Sequence, residues 1–249
     1  MRCKVADFLE TASGRRIAYV KTEGRGPGVV FLGGFMSDME GSKAVALEAW
    51  AKRQGRPFLR FDYSGHGQSS GEFTDGCIGD WAEDARAVIE ALTEGPQLLV
   101  GSSMGGWISA LTIRAIPDRI AGFIGIAAAP DFTEDSMWNG FSEEMRRQLM
   151  EEGQVFVPSG YDEPYPVTKR LIEDGREQLV LRKPLPMPFP VRLFQGTADD
   201  VVERQVALNL LDHIDGDDLH LTFVTGADHS FSTPENLALI EATLDELLA

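Results

Sequence analysis

Residues 97–111 read QLLVGSSMGGWISAL. An apolar run ends in glycine, two serines stand side by side, and an apolar segment follows. A short, continuous apolar run reads as a buried strand, and WISALTIRAI behind it reads as a helix, so the serines fall at a sharp strand-to-helix turn. A serine exposed at such a turn lies against the helix N-terminus, whose free N–H groups can stabilise an oxyanion. The turn passes close to its neighbours, which requires small residues two before and two after the serine. Counted from Ser103 those positions are Gly101 and Gly105; counted from Ser102 they are Val100 and Met104. Ser103 is therefore the candidate nucleophile. The stretch GQSSG at 67–71 has the same Gly-x-Ser-x-Gly spacing, but no apolar helix stands directly behind it. Its glycines read as turn punctuation, and Ser69 is set aside.

Outward from this turn, strand-like and helix-like segments alternate. GVVFL (28–32), FLRF (58–61), QLLVG (97–101), IAGFIGIA (120–127), VRLFQG (191–196) and LHLTFV (219–224) read as buried strands. Trp81, Ala85, Val88, Ile89 and Leu92 share one face of a helix, as do Val206, Leu210 and Ile214. Thr233-Pro234 supplies an N-cap and a first-turn proline for a C-terminal helix through Leu237, Ile240, Leu244 and Leu247. Alternation of this kind predicts a mostly parallel sheet covered on both faces. FLETA and RIAYVKT, joined by SGR, predict an antiparallel hairpin ahead of it.

Composition narrows the function. The 249 residues suit an α/β protein, and the formal net charge of −16 excludes nucleic-acid binding, which needs Lys and Arg against phosphate. The same charge disfavours a seat on an anionic membrane surface. No apolar run reaches the roughly 18 residues of a membrane span. The N-terminal stretch lacks the apolar core of a signal peptide, so a cytoplasmic location is expected. Cys3 and Cys77 stand without His or Cys at ligand spacing, so no metal site is expected and both read as inert thiols.

A serine nucleophile needs a base and an acid to orient it, and these belong at the ends of later strands. LFQGTADDVV places Asp199 just beyond the strand ending at Gly196, and FVTGADHSFS places His229 beyond the last strand. The order Ser, Asp, His is that of α/β-hydrolases. In this reading His229 takes the Ser103 proton, and Asp199 orients the imidazole. Asp200 is the alternative, disfavoured because Asp199 comes first after the tight turn. His213 falls late in a helix, where it can cap carbonyls, and His220 falls within a strand. His66 lies in the glycine-rich loop, as a turn residue or at the rim of the site. The oxyanion donors are expected to be the backbone N–H groups of Met104 and of Phe35, the latter following Gly33-Gly34 at the end of a strand.

Residues 131–190 break the alternation and read as a helical cap with no clean strand. An insertion of ~60 residues is too long for a plain connection. FSEEMRRQLMEE is a helix capped by Ser142, VTKRLIEDG is a second helical piece, and prolines 184, 186, 188 and 190 stiffen the exit. Trp138, Phe141 and Met145 either shelter an acyl chain or hold the cap to the sheet. The insertion carries 12 acidic residues against 7 basic ones. That disfavours coenzyme A, whose phosphates call for a basic cluster.

The segment GFMSDMEGSKAVALEAWAKRQGRPFLRFDYSGHGQSSGEF, followed by GPQLLVGSSMGGW, resembles the mitochondrial palmitoyl-protein thioesterase subgroup of the α/β-hydrolase superfamily, also associated with acyl-glucuronide ester hydrolysis. The likeness runs from about residue 28 to 128 and more weakly through GTADDVV and ADHSF. It implies an eight-stranded, mostly parallel sheet with helices on both faces and a small helical cap, all in one domain over 1–249. It maps the subgroup's triad onto Ser103, Asp199 and His229. Ser102 occupies the position where many other α/β-hydrolases carry histidine, and serine there fits this subgroup. Beside the mitochondrial members the sequence reads as a bacterial-type relative, expected to lack their N-terminal targeting extension. The expected activity is hydrolysis of small acyl esters or S-acyl proteins, without cofactor. A C–C bond hydrolase, a lactonase and a non-catalytic binding protein on the same fold stay open, and the oligomeric state is undetermined.

Overall fold

A computed structural model describes residues 6–158 and 164–249. Its strands follow the apolar runs. β1 (Asp7–Glu10) and β2 (Arg16–Thr22) form the antiparallel hairpin, and β3 (Gly28–Leu32) leads into α1 (Ser42–Gln54). β4 (Phe58–Phe61) precedes α2 (Ile78–Leu92), β5 (Gln97–Ser102) precedes α3 (Met104–Ala115), and β6 (Ile120–Ile126) leads into the cap.

The cap contains a π-helical turn at Thr133–Trp138, α4 (Glu143–Glu152), β7 (Gln154–Val157), β8 (Tyr165–Thr168), α5 (Lys169–Glu177) and β9 (Leu185–Pro186). The chain then returns through β10 (Val191–Gly196), α6 (Arg204–His213), β11 (Ile214–Asp215), β12 (Leu219–Val224) and α7 (Pro234–Leu247). Among the described residues no helix is long and apolar enough to cross a membrane.

The main sheet has eight strands in the order β1-β2-β4-β3-β5-β6-β10-β12. β2 pairs antiparallel with β4, and every pair from β4 to β12 is parallel. The central strands are buried on both faces, and their side chains divide by parity between two cores. Val30, Leu32, Leu99 and Phe123 join Trp81, Val88 and Trp107 from α2 and α3. Val29, Phe31, Leu98, Val100 and Ile124 join Leu47, Trp50, Ile240 and Leu244 from α1 and α7. This is why those strands read as unbroken apolar runs rather than as alternating ones.

The cap differs from its sequence reading in one respect: it does contain strands. β7 and β8 pair antiparallel, with Phe156 opposite Pro166. Each is only four residues long, and a proline inside a strand argues against pairing unless the strand lies at an edge. Burial supplies what local propensity lacks, since Val155 and Val167 are fully packed on one face while Phe156 is 62% exposed on the other. The helices start as expected: Ser142 accepts a hydrogen bond from the Met145 N–H, and Thr168 one from the Leu171 N–H. β9 pairs with β11, which ties the proline-rich exit to the body.

One buried carboxylate closes the base of the cap. Asp131, at a positive φ of 57°, accepts hydrogen bonds from the Val180 and Leu181 N–H groups and from Arg182. It thereby joins the two stems where the cap leaves and re-enters the sheet.

Candidate active site

Ser103 sits between β5 and α3 with φ 53° and ψ −119°, a backbone conformation that costs a non-glycine residue about 1–3 kcal/mol. The surroundings hold it there. Its N–H donates to the Ile126 carbonyl on β6, and its carbonyl accepts from Gly106 and Ala129. The two flanking glycines are there for space. A Cβ at Gly101 would lie 2.4 Å from the Gly105 carbonyl oxygen, and one at Gly105 would lie 2.0 Å from the Leu32 carbonyl oxygen.

The three residues named at the ends of β5, β10 and β12 come together. His229 Nε2 lies 3.1 Å from Ser103 Oγ, and His229 Nδ1 lies 2.9 Å from Asp199 Oδ2. An ionised carboxylate only accepts, so the Nδ1 position carries the proton and Nε2 presents its lone pair to the serine hydroxyl. Asp199 is fully enclosed, whereas the imidazole keeps a quarter of its surface exposed. Burial pushes the Asp199 pKa up, but hydrogen bonds from His229 and from the Val202 and Val201 amides outweigh it, leaving the carboxyl below its ordinary range. Asp200, its neighbour, is exposed.

Gln195, the fifth of the six residues of β10, is a site residue that the sequence reading passed over. Its Nε2 donates to Asp199 Oδ2 at 2.9 Å and to the Val202 carbonyl at 3.1 Å. Its sequence signal was weak: a polar side chain inside an otherwise apolar strand.

Met104 is the first residue of α3, so its N–H has no carbonyl one turn back to bond. The Gly33–Phe35 loop lies alongside, close enough that a Cβ on Gly34 would touch the Ser103 Cβ at 3.4 Å. The Phe35 ring is wedged edge-on among Phe73, Phe132, Tyr165 and Trp81, with centroids 4.9–6.0 Å away. Phe132 also meets Trp107. Phe132 and Tyr165 come from the cap and enclose the Phe35 ring from that side.

The other expectations can be placed as well. Trp138 closes the π-helical turn beneath the guanidinium groups of Arg176 (4.4 Å) and Arg146 (5.2 Å). Phe141 is buried and Met145 half-buried, and all three pack into the core shared by cap and sheet. Those contacts are adhesive. Ser69 stitches its loop to β2, donating to the Asp62 carbonyl and accepting from the Ala18 N–H.

His66 is buried within the aromatic ring set of Tyr63, Phe73 and Trp81, and burial lowers its pKa to about 4. His213 Nδ1 donates to the Asn209 carbonyl in the last turn of α6, and His220 lies on β12. Burial pushes the Cys77 thiol up to about 12, which leaves it inert as a nucleophile. Cys3 lies outside the described residues.

A parallel sheet whose strand ends present a serine elbow, an acid and a histidine in that chain order defines a class, and comparison with known proteins agrees. A family model for the alpha/beta hydrolase fold matches residues 27–160, more than half of the chain, and the chain belongs to that family. Over 243 residues it is 33% identical to the human mitochondrial palmitoyl-protein thioesterase ABHD10, spanning 97% of this chain and 79% of that one. The structure of mouse alpha/beta hydrolase domain-containing protein 10 superposes with a TM-score of 0.90 at 32% identity, over 98% of both chains. A crystal structure from Agrobacterium vitis S4 does so at 0.93 and 35%, also over 98% of both. The likeness first legible in residues 28–128 therefore extends through the cap.

Proposed function

We propose that this chain is a serine hydrolase that cleaves carboxylic esters or acyl thioesters through an acyl-enzyme. Ser103 is the nucleophile, His229 the general base and then acid, and Asp199 the group that orients and stabilises the imidazolium. As the Ser103 Oγ–carbon bond forms, the Oγ–H proton passes to His229 Nε2 and the carbonyl electron pair moves onto oxygen. The N–H groups of Met104 and Phe35 receive that oxyanion. Collapse breaks the carbon–oxygen or carbon–sulfur bond, and His229 protonates the departing alcohol or thiol. Water then repeats the sequence on the acyl-enzyme and frees Ser103.

The observation that carries this reading is the continuous hydrogen-bonded line Ser103–His229–Asp199 at a serine held in a strained elbow. The aromatic cluster of Phe35, Phe132 and Tyr165, next to the proposed oxyanion donor, favours an apolar acyl group. Kinship with palmitoyl-protein thioesterases supports S-acyl proteins as substrates beside small esters. The test is kcat/KM for matched oxygen esters and thioesters from acetyl to palmitoyl, with Ser103→Ala as the blank. Ser103→Ala should lose roughly 10⁴-fold or more in kcat, and activity retained in that variant would sink the proposal. Preference for long-chain thioesters would assign depalmitoylation, and preference for short oxygen esters a carboxylesterase.

A further inference from the structure

The segment RFDYSGHG (60–67), singled out in the sequence, has no part in the chemistry just described, although Arg60, Asp62, Ser64 and His66 are all buried. Three of its side chains, Arg60, Asp62 and Tyr63, reach the loop that follows β3. Asp62, 2% exposed, accepts the Met39 N–H on Oδ1 at 2.6 Å and the Gln68 N–H on Oδ2 at 2.8 Å. Arg60, 4% exposed, donates to the carbonyl of the same Met39 at 2.7 Å and to Glu48 at 2.9 Å. Met39 is therefore gripped through both its N–H and its carbonyl, on two consecutive peptide units, by charged groups on β4 and its end.

The grip is transmitted to Phe35 by a rigid turn. The Ser37 N–H and Oγ–H both bond the Gly34 carbonyl, at 3.3 and 2.9 Å, and Met36 takes a positive φ of 53°. At the other end of the loop the Tyr63 hydroxyl reaches the Gly33 carbonyl at 3.4 Å. The Asp62 carboxylate is itself locked in place: its N–H bonds the Ala18 carbonyl, its carbonyl receives Ser69 Oγ, and a Cβ at Gly67 would lie 2.2 Å from its Oδ2. Gly67 thus leaves the space the carboxylate occupies.

We infer that the 60–67 segment is a mould for the oxyanion loop and that Asp62 is its principal positioning residue, holding Met39 so that the Phe35 N–H stays aimed at the oxygen that becomes negative. This rests on the proposed function, specifically on Phe35 as an oxyanion donor. An oxyanion donor must be in place before charge develops, because reorganisation during the reaction forfeits its effect. A loop of backbone amides has no intrinsic rigidity, and two buried charged side chains on one residue, Met39, provide it.

The experiment compares a p-nitrophenyl ester with its thionoester, whose sulfur accepts hydrogen bonds poorly and gains little from an oxyanion hole. Asn at position 62 keeps the volume of Asp but cannot accept on both atoms, so one of the Met39 and Gln68 amides loses its partner. Asp62→Asn should lower kcat on the ester on the order of 10–100-fold, leave KM nearly unchanged, and lower the thionoester rate much less. Equal losses on both substrates, or wild-type kcat on the ester, would overturn the inference. If Asp62→Asn does not fold, Arg60→Lys loosens the same residue, Met39, from its carbonyl side and carries the same expected split. Ser103→Ala runs beside them: activity there strikes the hydrolase reading itself. Its loss together with a wild-type Asp62→Asn rate strikes only the mould.

Discussion

Gln195 and His229 donate to the same oxygen, Asp199 Oδ2, each at 2.9 Å, while Oδ1 takes the Val201 and Val202 amides. Four donors therefore fix a fully enclosed carboxylate, and only one of them is the histidine. Removing the glutamine frees Asp199 to rotate and leaves the imidazole less firmly aimed. A hydrogen bond to a charged group contributes about 1.5–3 kcal/mol, so Gln195→Leu should lower kcat roughly 10- to 100-fold with little change in KM. Steady-state kinetics on a soluble ester checks this, and an unchanged kcat would show that the three remaining donors suffice.

The adjacent aspartates should behave very differently. Asp199→Asn can present an amide N–H to His229 Nδ1, which favours the tautomer with its proton on Nε2 and deprives Ser103 of its base. A loss near 10⁴-fold in kcat is expected by analogy with comparable triads. Asp200→Asn, at an exposed position without a part in the line, should stay within about twofold of wild type. Measuring both variants on one substrate decides between the two carboxylates.

His66 should make stability depend on pH. Its pKa is lowered to about 4 in the folded protein by burial, from an ordinary value of 6.5. Above pH 6.5 the ring is neutral folded and unfolded, and its contribution is fully present. As pH falls from 6.5 toward 4 only the unfolded chain takes up the proton, so stability is lost across that window, by roughly 3 kcal/mol in all. His66→Phe keeps an aromatic ring in the Tyr63–Phe73–Trp81 set without a titrating group. Urea denaturation at pH 7 and pH 4.5 should show a markedly smaller fall for the variant, and parallel falls would refute the assignment.

Asp131 should matter to the fold more than to the chemistry. Asp131→Ala leaves the Val180 and Leu181 amides buried without partners, at a cost of about 3 kcal/mol. For a chain of this length that corresponds to a fall in Tm of roughly 6–12 °C. Calorimetry at neutral pH reads it directly, and a fall of less than about 2 °C would mean that the cap stems are held chiefly by apolar packing.

What the sequence by itself determined is the sheet and the order of the chemistry. GVVFL, FLRF, VRLFQG and LHLTFV are strands to the residue, because largely apolar runs bounded by turn residues mark strands packed in a sheet. The first three are buried throughout. LHLTFV, read as a buried strand, lies at the sheet edge and is partly exposed, since it has a neighbour on one side only. Gly101 and Gly105 singled out Ser103 because steric exclusion acts within a few residues of the serine. Thr233 and Ser142 could be read as caps for the same local reason.

Only the tertiary structure decided the rest, where the partners lie far apart along the chain. The cap hairpin forms because Val155 and Val167 find a core, against the local signal of Pro166. Gln195 and Asp62 are unremarkable polar residues until folding brings Asp199 beside one and Met39 beside the other. Trp138, read either as a wall for a substrate or as a residue holding the cap to the sheet, lies under two arginines of its own cap. Periodicity and turn chemistry report which residues are buried; a directional hydrogen bond across the fold depends on coordinates that no local pattern contains.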